Sequence, residues 1–569
     1  MCALCRTITA ADKLDCKHTT VTGRPQSEHR LATPALKYQS LLVVMIGAQK
    51  YKFRYSAGYK LQEAHAVAPP EALEQSCAAQ RSNDTPLFSN WTKDYIPQYP
   101  EVRPVAARYH QLTSAVNFQK KTRPIKYCAL PNTILLGQEG RGRKGDLLEG
   151  VVIITRHGDR GSLRGLLNQS LVSCSVNFSS HSDLTRYVKF MRNKERERSK
   201  SDLFRHFHLL PILSEQCLSG QLSSQGIIQM LRLGKLLHQV YLKRHYLVNE
   251  TTALQDVIVF CSNVPRTYQS VLAFLHSFLP SYPSWNNVKM GSGLTFCHSR
   301  KFCDCPVIDK IEQVIWKEKW THLKSHPAVF NLIQSLTPLY GVVSDQDGGL
   351  PDSLFDSLMV YLCHQQKMPC DKNGICASVD QLNNLMAFLD WSGRQTANHG
   401  LFRRASKLRT HGLLVDIVHR LINIKSRNKK KSIPRIVIYS GHDLTLIAIM
   451  SALGFYDGSK IPYASRLIFE LYKSHDSKEF HVKIIYNGRD LTKRISLCSH
   501  SKSHNIKNQT KSDFICPLSN LELYISKNFY RELNVTSFQQ ACSNLPSSSN
   551  KRLKSLRYVR SKSLISAKS

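Results

Sequence analysis

Acidic residues are scarce in this chain: 41 Asp and Glu stand against 78 Lys and Arg in 569 residues, a formal net charge of +37. The imbalance points to an anionic partner, whether nucleic acid, glycan, lipid or phosphate. Long hydrophobic runs are also missing. The apolar run Leu41 to Ala48 is eight residues long, against about 20 for a bilayer-spanning helix, and reads as a short buried or loop segment. No charged segment with a following cleavage site stands at Met1, and no internal repeat is visible. The basic clusters Arg192 to Lys200 and Lys425 to Lys431 lack interleaved aromatics and any zinc-finger or RNA-binding signature. They read as solvated loops or helix faces, and no nucleic-acid partner is expected.

What is present is enough for a packed core. The chain is 42% hydrophobic and 21% charged, which excludes wholesale disorder. Residues 1–124 carry a net +8 in a poorly patterned, Pro-bearing leader or stem. Residues 546–569 form a Ser-rich tail with seven Lys or Arg and no acid. The remaining +22 belongs to residues 125–545, so the basic character is not confined to the ends.

Seventeen cysteines suit an oxidising compartment. Thirteen of them lie between Cys128 and Cys542, and Cys261 sits within an apolar, strand-like run. Setting Cys261 aside as a buried thiol leaves twelve for disulfides, of undetermined connectivity. The competing reading is a metal site at Cys297, Cys303 and Cys305 beside His298. It lacks the C-x2-C pairs of structural zinc, and no metal is expected. Seven N-x-[ST] sequons, at Asn83, Asn90, Asn168, Asn177, Asn249, Asn508 and Asn534, agree with a secretory route.

Three strand-to-helix junctions carry chemistry. Val151 to Thr155 reads as a buried strand running into Arg156-His157-Gly158-Asp159-Arg160, with Gly158 expected to permit the tight turn. Two arginines flanking one histidine repel each other unless an anion lies between them. Guanidinium forks suit phosphate oxygens, so Arg156 and Arg160 read as a clamp and His157 as a nucleophile. A second strand, Asp256 to Ser262, is followed by a helix that begins near Arg266, with Leu272, Leu275 and Leu279 at helical spacing. A third, Arg435 to Ser440, ends at Gly441 and places His442 and Asp443 at the start of a helix reaching about Leu453. A carboxylic acid there can protonate a departing alkoxide while the histidine donates to a phosphoryl oxygen. Open α/β sheets gather ligands at the carboxyl ends of their strands, where helix N-termini present free N–H groups.

With its R-H-G-x-R stretch, later arginine and H-D pair, the chain resembles the histidine acid phosphatase family, the HD branch of the histidine phosphatases. The proline of the family's R-H-G-x-R-x-P signature is Ser162 here. Leu222 to Tyr241 resembles the family's L-T-x-x-G-x-x-Q helix, with Met230, Leu233, Leu237 and Val240 as its core stripe. The resemblance implies an α/β fold: a central mixed, mainly parallel sheet flanked by helices, with a helical cap inserted at about residues 268–430. It implies a phosphohistidine on His157, Asp443 as proton donor, and Arg156, Arg160, Arg266 and His442 holding the phosphate, without a cofactor.

Further segments, Phe296 to Pro306, Ala464 to Leu471 and Ile485 to Leu491, resemble members that remove phosphate from xylose in the proteoglycan linkage region. That likeness implies a Golgi location, a membrane anchor that is not readable in this chain, and contacts with polyanionic glycosaminoglycans. A broad acid phosphatase or phytase-like hydrolase, and a non-catalytic glycosaminoglycan-binding secretory protein, are the alternatives.

Overall fold

A computed structural model describes residues 122–164, 181–198, 203–212, 217–248, 253–280, 288–291, 296, 304–340, 350–426, 433–499 and 515–543. The leader, the Leu41 to Ala48 run, the basic tail and every sequon except Asn534 lie outside them. The strands are β1 Leu147–Arg156, β2 Val257–Ser262, β3 Val288–Gly291, β4 Ile436–Gly441, β5 Arg466–Lys473, β6 Phe480–Tyr486 and β7 Arg489–Asp490. Ten helices frame the argument. They are α1 Thr122–Cys128, α2 Ser182–Arg196, α3 Ser224–His238, α4 Pro265–Phe278, α5 Pro306–Lys324, α6 Pro327–Leu336, α7 Leu350–Cys363, α8 Val379–Asn398, α9 Gly400–Lys425 and α10 Asp443–Ala452.

The seven strands form one mixed sheet in the order β3-β2-β4-β1-β5-β6-β7. Strands β3, β2, β4 and β1 are parallel, and β5, β6 and β7 complete the sheet in antiparallel pairs. The antiparallel half follows from short connections. Asn487 and Gly488 both have positive φ, 45° and 81°, which suits the two-residue hairpin between β6 and β7.

Alternation along the central strands sorts side chains to the two faces. Val151 and Ile153 pack with α2, α3 and α4, alongside the predicted stripe Met230, Leu233, Leu237 and Val240. Val152 and Ile154 pack on the opposite face with Leu413 to Ile424 of α9 and Leu446 and Ile449 of α10. Both faces are covered, so these strands read as continuous apolar runs.

The segment expected as a cap at about 268–430 divides four ways. Tyr268 to Phe278 complete α4 and pack under the sheet, Val288–Gly291 is an edge strand, and the C-terminal half of α9 covers the other face. Between them, α6, α7 and α8 share a separate apolar core around Ile333, Leu358, Met359 and Leu385. Amphipathic spacing alone does not distinguish a helix that lies on the sheet from one that lies on other helices.

Disulfides join Cys128 to Cys363, Cys305 to Cys542, Cys370 to Cys376 and Cys498 to Cys516. Cys217 is also bonded, and Cys261 is a buried free thiol. Cys305 is therefore unavailable to the metal set considered above; Cys297 and Cys303 lie outside the described residues. Asn534 is exposed at a left-handed helix end, φ 52°. Among the described residues no helix is long and apolar enough to cross a membrane.

Candidate active site

Strands β2, β4 and β1 are adjacent and parallel, with Arg156 opposite Gly441 and Cys261 opposite Ser440. Their carboxyl ends therefore open onto one crevice, and the three residue groups singled out above converge there. The His157 backbone N–H donates to the Gly441 carbonyl at 3.0 Å, and the Ala464 N–H donates to the His157 carbonyl at 3.1 Å. The loop is thus pinned from both sides.

Gly158 does not adopt a positive φ; its smallness serves close approach instead. A Cβ there would lie 2.3 Å from the Gly226 carbonyl oxygen, and a Cβ on Gly226 would lie 2.2 Å from the Asp159 carbonyl oxygen. The two glycines let the N-terminus of α3 press directly against the loop, with Gln229 accepting the Asp159 N–H at 2.7 Å.

Arg156 is fully buried. Its guanidinium donates to the Ile461 carbonyl and, at 3.0 Å, to the Tyr127 hydroxyl, and lies 3.3 Å from an Asp443 carboxylate oxygen. It also sits 4.3 Å from the centre of the Tyr463 ring. Burial opposes its charge, but Tyr127, Asp443 and Tyr463 together raise its pKa above the usual value.

His157 is buried, and its Nδ1 lies 2.7 Å from the Gly158 carbonyl oxygen. A carbonyl only accepts, so Nδ1 carries the proton and Nε2 holds the free lone pair. Burial, then the charges of Arg266 and Arg156, push its pKa well below 6.5. The ring is therefore neutral, the form that can attack phosphorus.

The His442 ring centre lies 5.5 Å from that of His157. Its Nε2 is 2.8 Å from the Ser262 hydroxyl, which also meets Thr267 at 2.9 Å. Its pKa is lowered too, by burial and then by Arg266.

Asp443 begins α10, with its side chain 36% exposed, so it reaches the open side of the crevice. Burial favours its neutral form, but Arg156, Arg160, His442 and the Leu444 N–H outweigh that and hold its pKa below the usual carboxylate range. Arg266, in the first turn of α4, is buried. Its Nε has no hydrogen-bond partner among the described residues. Burial, with Arg160 beside it, pushes its pKa down to about 9. A buried guanidinium beside a second guanidinium is stabilised by an anion that meets both.

The histidine phosphatase superfamily (branch 2) model matches residues 147–487. The chain belongs to that superfamily. Among curated relatives it is 28% identical over 428 residues to 2-phosphoxylose phosphatase 1 of Xenopus tropicalis, covering 73% of this chain and 81% of that protein. It is 27% identical over 289 residues to human lysosomal acid phosphatase, covering 47% and 63%. Among solved structures, the apo phytase of Hafnia alvei aligns with a TM-score of 0.41 at 17% identity, covering 71% of this chain and all of that one. This histidine phosphatase is a phosphoric monoester hydrolase, in line with the signature residues at its strand ends.

Sequence reasoning missed the neighbours that complete the phosphatase site. Arg160 is not a free clamp: Asp356 of α7 grips its guanidinium at 2.8 and 3.1 Å and also accepts the Leu163 N–H at 2.9 Å. Asp159, buried within the signature, accepts from Ser223 at 2.5 Å and pairs with His364 at 2.6 Å. Helix α7 and His364, which directly follows it, therefore hold the loop through two carboxylate pairs, and the Cys128–Cys363 disulfide anchors the helix end. Ser162, where the family has proline, meets the Ser357 hydroxyl of the same helix at 3.2 Å, so a hydrogen bond stands where ring stiffness is lost. The position of Asp159 inside the motif was a usable signal; nothing local marks Asp356 or His364.

Proposed function

We propose that this histidine phosphatase removes the 2-phosphate from xylose in the glycosaminoglycan–protein linkage region, through a phosphohistidine on His157. Nε2 of His157 attacks phosphorus as the bond to the sugar oxygen breaks, and Asp443 delivers a proton to that oxygen. Water then attacks phosphorus, the P–N bond breaks, and the water's proton returns to the Asp443 carboxylate. Arg156, Arg160, Arg266 and His442 hold the phosphoryl oxygens while charge redistributes, which is where most of the rate enhancement arises.

A single observation carries the reading: a neutral His157, its Nε2 lone pair free by tautomer, stands within a buried cluster of three guanidiniums. The surrounding cations hold Asp443 in its carboxylate form. A phosphate dianion that neutralises the arginines raises its pKa and equips it as an acid, so activity belongs to acidic pH. The relatives named for 2-phosphoxylose support the substrate, and the disulfide-rich fold supports a secretory, Golgi location. The net +22 of residues 125–545 suits contact with polyanionic glycosaminoglycans near the substrate.

The test compares kcat/KM for a 2-phosphoxyloside from the linkage region with that for an aryl phosphate and inositol hexakisphosphate. The reading expects the phosphoxyloside to be preferred. Equal or better turnover of the other two assigns the chain to broad acid phosphatases or phytases. Glycosaminoglycan binding without turnover of any phosphomonoester leaves only a binding protein.

A further inference from the structure

Three hydroxyl side chains stand behind His442. Ser262 closes β2, Thr267 lies in the first turn of α4, and Ser440 precedes Gly441 at the end of β4; all three are buried. The Ser440 hydroxyl donates to the Thr267 backbone carbonyl at 2.8 Å. That bond ties the end of β4 to the start of α4 and fixes Thr267 in place next to Arg266.

The direction of the remaining bonds follows from counting protons. Thr267 Oγ1 stands 2.8 Å from the Val264 carbonyl oxygen and 3.0 Å from the Ser262 carbonyl oxygen. Carbonyls only accept, so the single hydroxyl proton of Thr267 goes to them. Ser262 Oγ is 2.9 Å from Thr267 Oγ1, and the proton between these two oxygens then belongs to Ser262. With its own proton given to Thr267, Ser262 Oγ accepts from His442 Nε2 at 2.8 Å. The hydrogen bonds therefore run from His442 Nε2–H to Ser262, from Ser262 to Thr267, and from Thr267 to the backbone. His157 has the opposite form, protonated at Nδ1 with its lone pair on Nε2. Two rings 5.5 Å apart thus present a donor and a nucleophile to one crevice.

We propose that Ser262 and Thr267 are positioning residues that preset His442 as an Nε2–H donor for the transferring phosphoryl group. The relay rests on the reading of His442 as a phosphate-holding residue. In the other neutral tautomer Nε2 turns a lone pair toward the crevice and repels a phosphoryl oxygen. The relay disfavours that tautomer before substrate arrives, so the donor is already in place as charge develops. A charged phosphoryl oxygen is a stronger acceptor than a serine hydroxyl and draws the same hydrogen from Ser262.

The test uses the full chain, labelled with ¹⁵N-histidine for spectroscopy and supplied with p-nitrophenyl phosphate for kinetics. Thr267→Val keeps the side-chain shape and deletes the acceptor, so the Ser262 proton turns to His442 Nε2 and the tautomer inverts. The Ser262 and Val264 carbonyls keep the N–H groups of residues 264 and 267, at 2.8 and 3.1 Å, so the variant should fold. Its kcat/KM should fall about 10- to 100-fold, the worth of a hydrogen bond to a charged acceptor. Thr267→Ser, which restores a hydroxyl, should recover most of that loss. The nitrogen spectrum, with His442 assigned by its disappearance in His442→Ala, should show the proton on Nε2 in wild type and on Nδ1 in Thr267→Val.

The wild-type spectrum alone decides the proton order: a His442 protonated only at Nδ1 overturns the relay. Activity of Thr267→Val within about twofold of wild type, or Thr267→Ser as impaired as Thr267→Val, overturns it as well. Wild-type activity in His442→Ala overturns the phosphate-holding reading of His442 instead, whichever nitrogen carries the proton.

Discussion

Replacing Arg266 with methionine should make the ligand-free protein more stable and the enzyme nearly inactive. Arg266 sits at about 9 in the folded protein, well below an ordinary arginine. Because the folded value is depressed, the penalty is complete below about pH 9 and fades only as pH rises from there toward the ordinary arginine value. Each pH unit in that window represents about 1.36 kcal/mol, so the full penalty is several kcal/mol at pH 5 to 7.

Methionine keeps part of the buried stem's packing and removes the charge. Allowing for lost contacts, the ligand-free variant should gain about 1–3 kcal/mol, a rise of roughly 2 °C or more in Tm. In the opposite direction, losing a charge-assisted fork to the transferring phosphoryl group should lower kcat/KM by about 10³. Calorimetry with and without inorganic phosphate separates the two effects. Phosphate at about 100 Kd should stabilise wild type by roughly 2.7 kcal/mol and the variant far less. A variant that unfolds earlier without phosphate, yet gains as much from phosphate as wild type, refutes Arg266 as a strained, waiting anion partner.

Asp443→Asn should lower kcat on a sugar phosphate by about 10³, within the usual range for a general acid. It should lower kcat on p-nitrophenyl phosphate much less, because that leaving group departs without a proton; equal losses on both substrates count against the proton-donor role. His411 is buried, stacked on Phe529 with ring centres 3.8 Å apart, and pushed down to about 4 by burial. It therefore contributes stability above pH 6.5 that is lost as pH falls toward 4. Wild type should lose about 2 kcal/mol through this residue between pH 7 and 5, at about 1.36 kcal/mol per pH unit below 6.5. His411→Phe should flatten the denaturant-measured pH dependence by that amount, and an unchanged slope contradicts the assignment.

Much of the site was legible because its chemistry is local in sequence. Each apolar strand hands its carboxyl end to a short polar group, and the strand pattern alone predicts that Arg156, His157, Arg160, Arg266, His442 and Asp443 share a crevice. The tautomer of His157 was not legible, since it depends on the Gly158 carbonyl 2.7 Å away. Gly158 was noted for the wrong property: chain freedom was expected, whereas the fold requires room beside Gly226.

Asp356 and His364 were invisible because α7 lies about 200 residues from the loop it grips. No spacing rule links a carboxylate in a mid-chain helix to an arginine after β1. Disulfide pairing also followed from the fold, because Cys128 and Cys363 are 235 residues apart and sequence offers many pairings.

Acid-stable trapping favours phosphoserine and destroys phosphohistidine, so the central claim is tested most directly by rapid quench into base. The enzyme is mixed with a ³²P-labelled phosphomonoester, quenched in alkali within milliseconds, digested, and the labelled peptide sequenced. The mechanism predicts stoichiometric label on the peptide containing His157, absent in His157→Ala and accumulating when hydrolysis of the intermediate is slowed. Label on another residue, or wild-type turnover by His157→Ala, contradicts it.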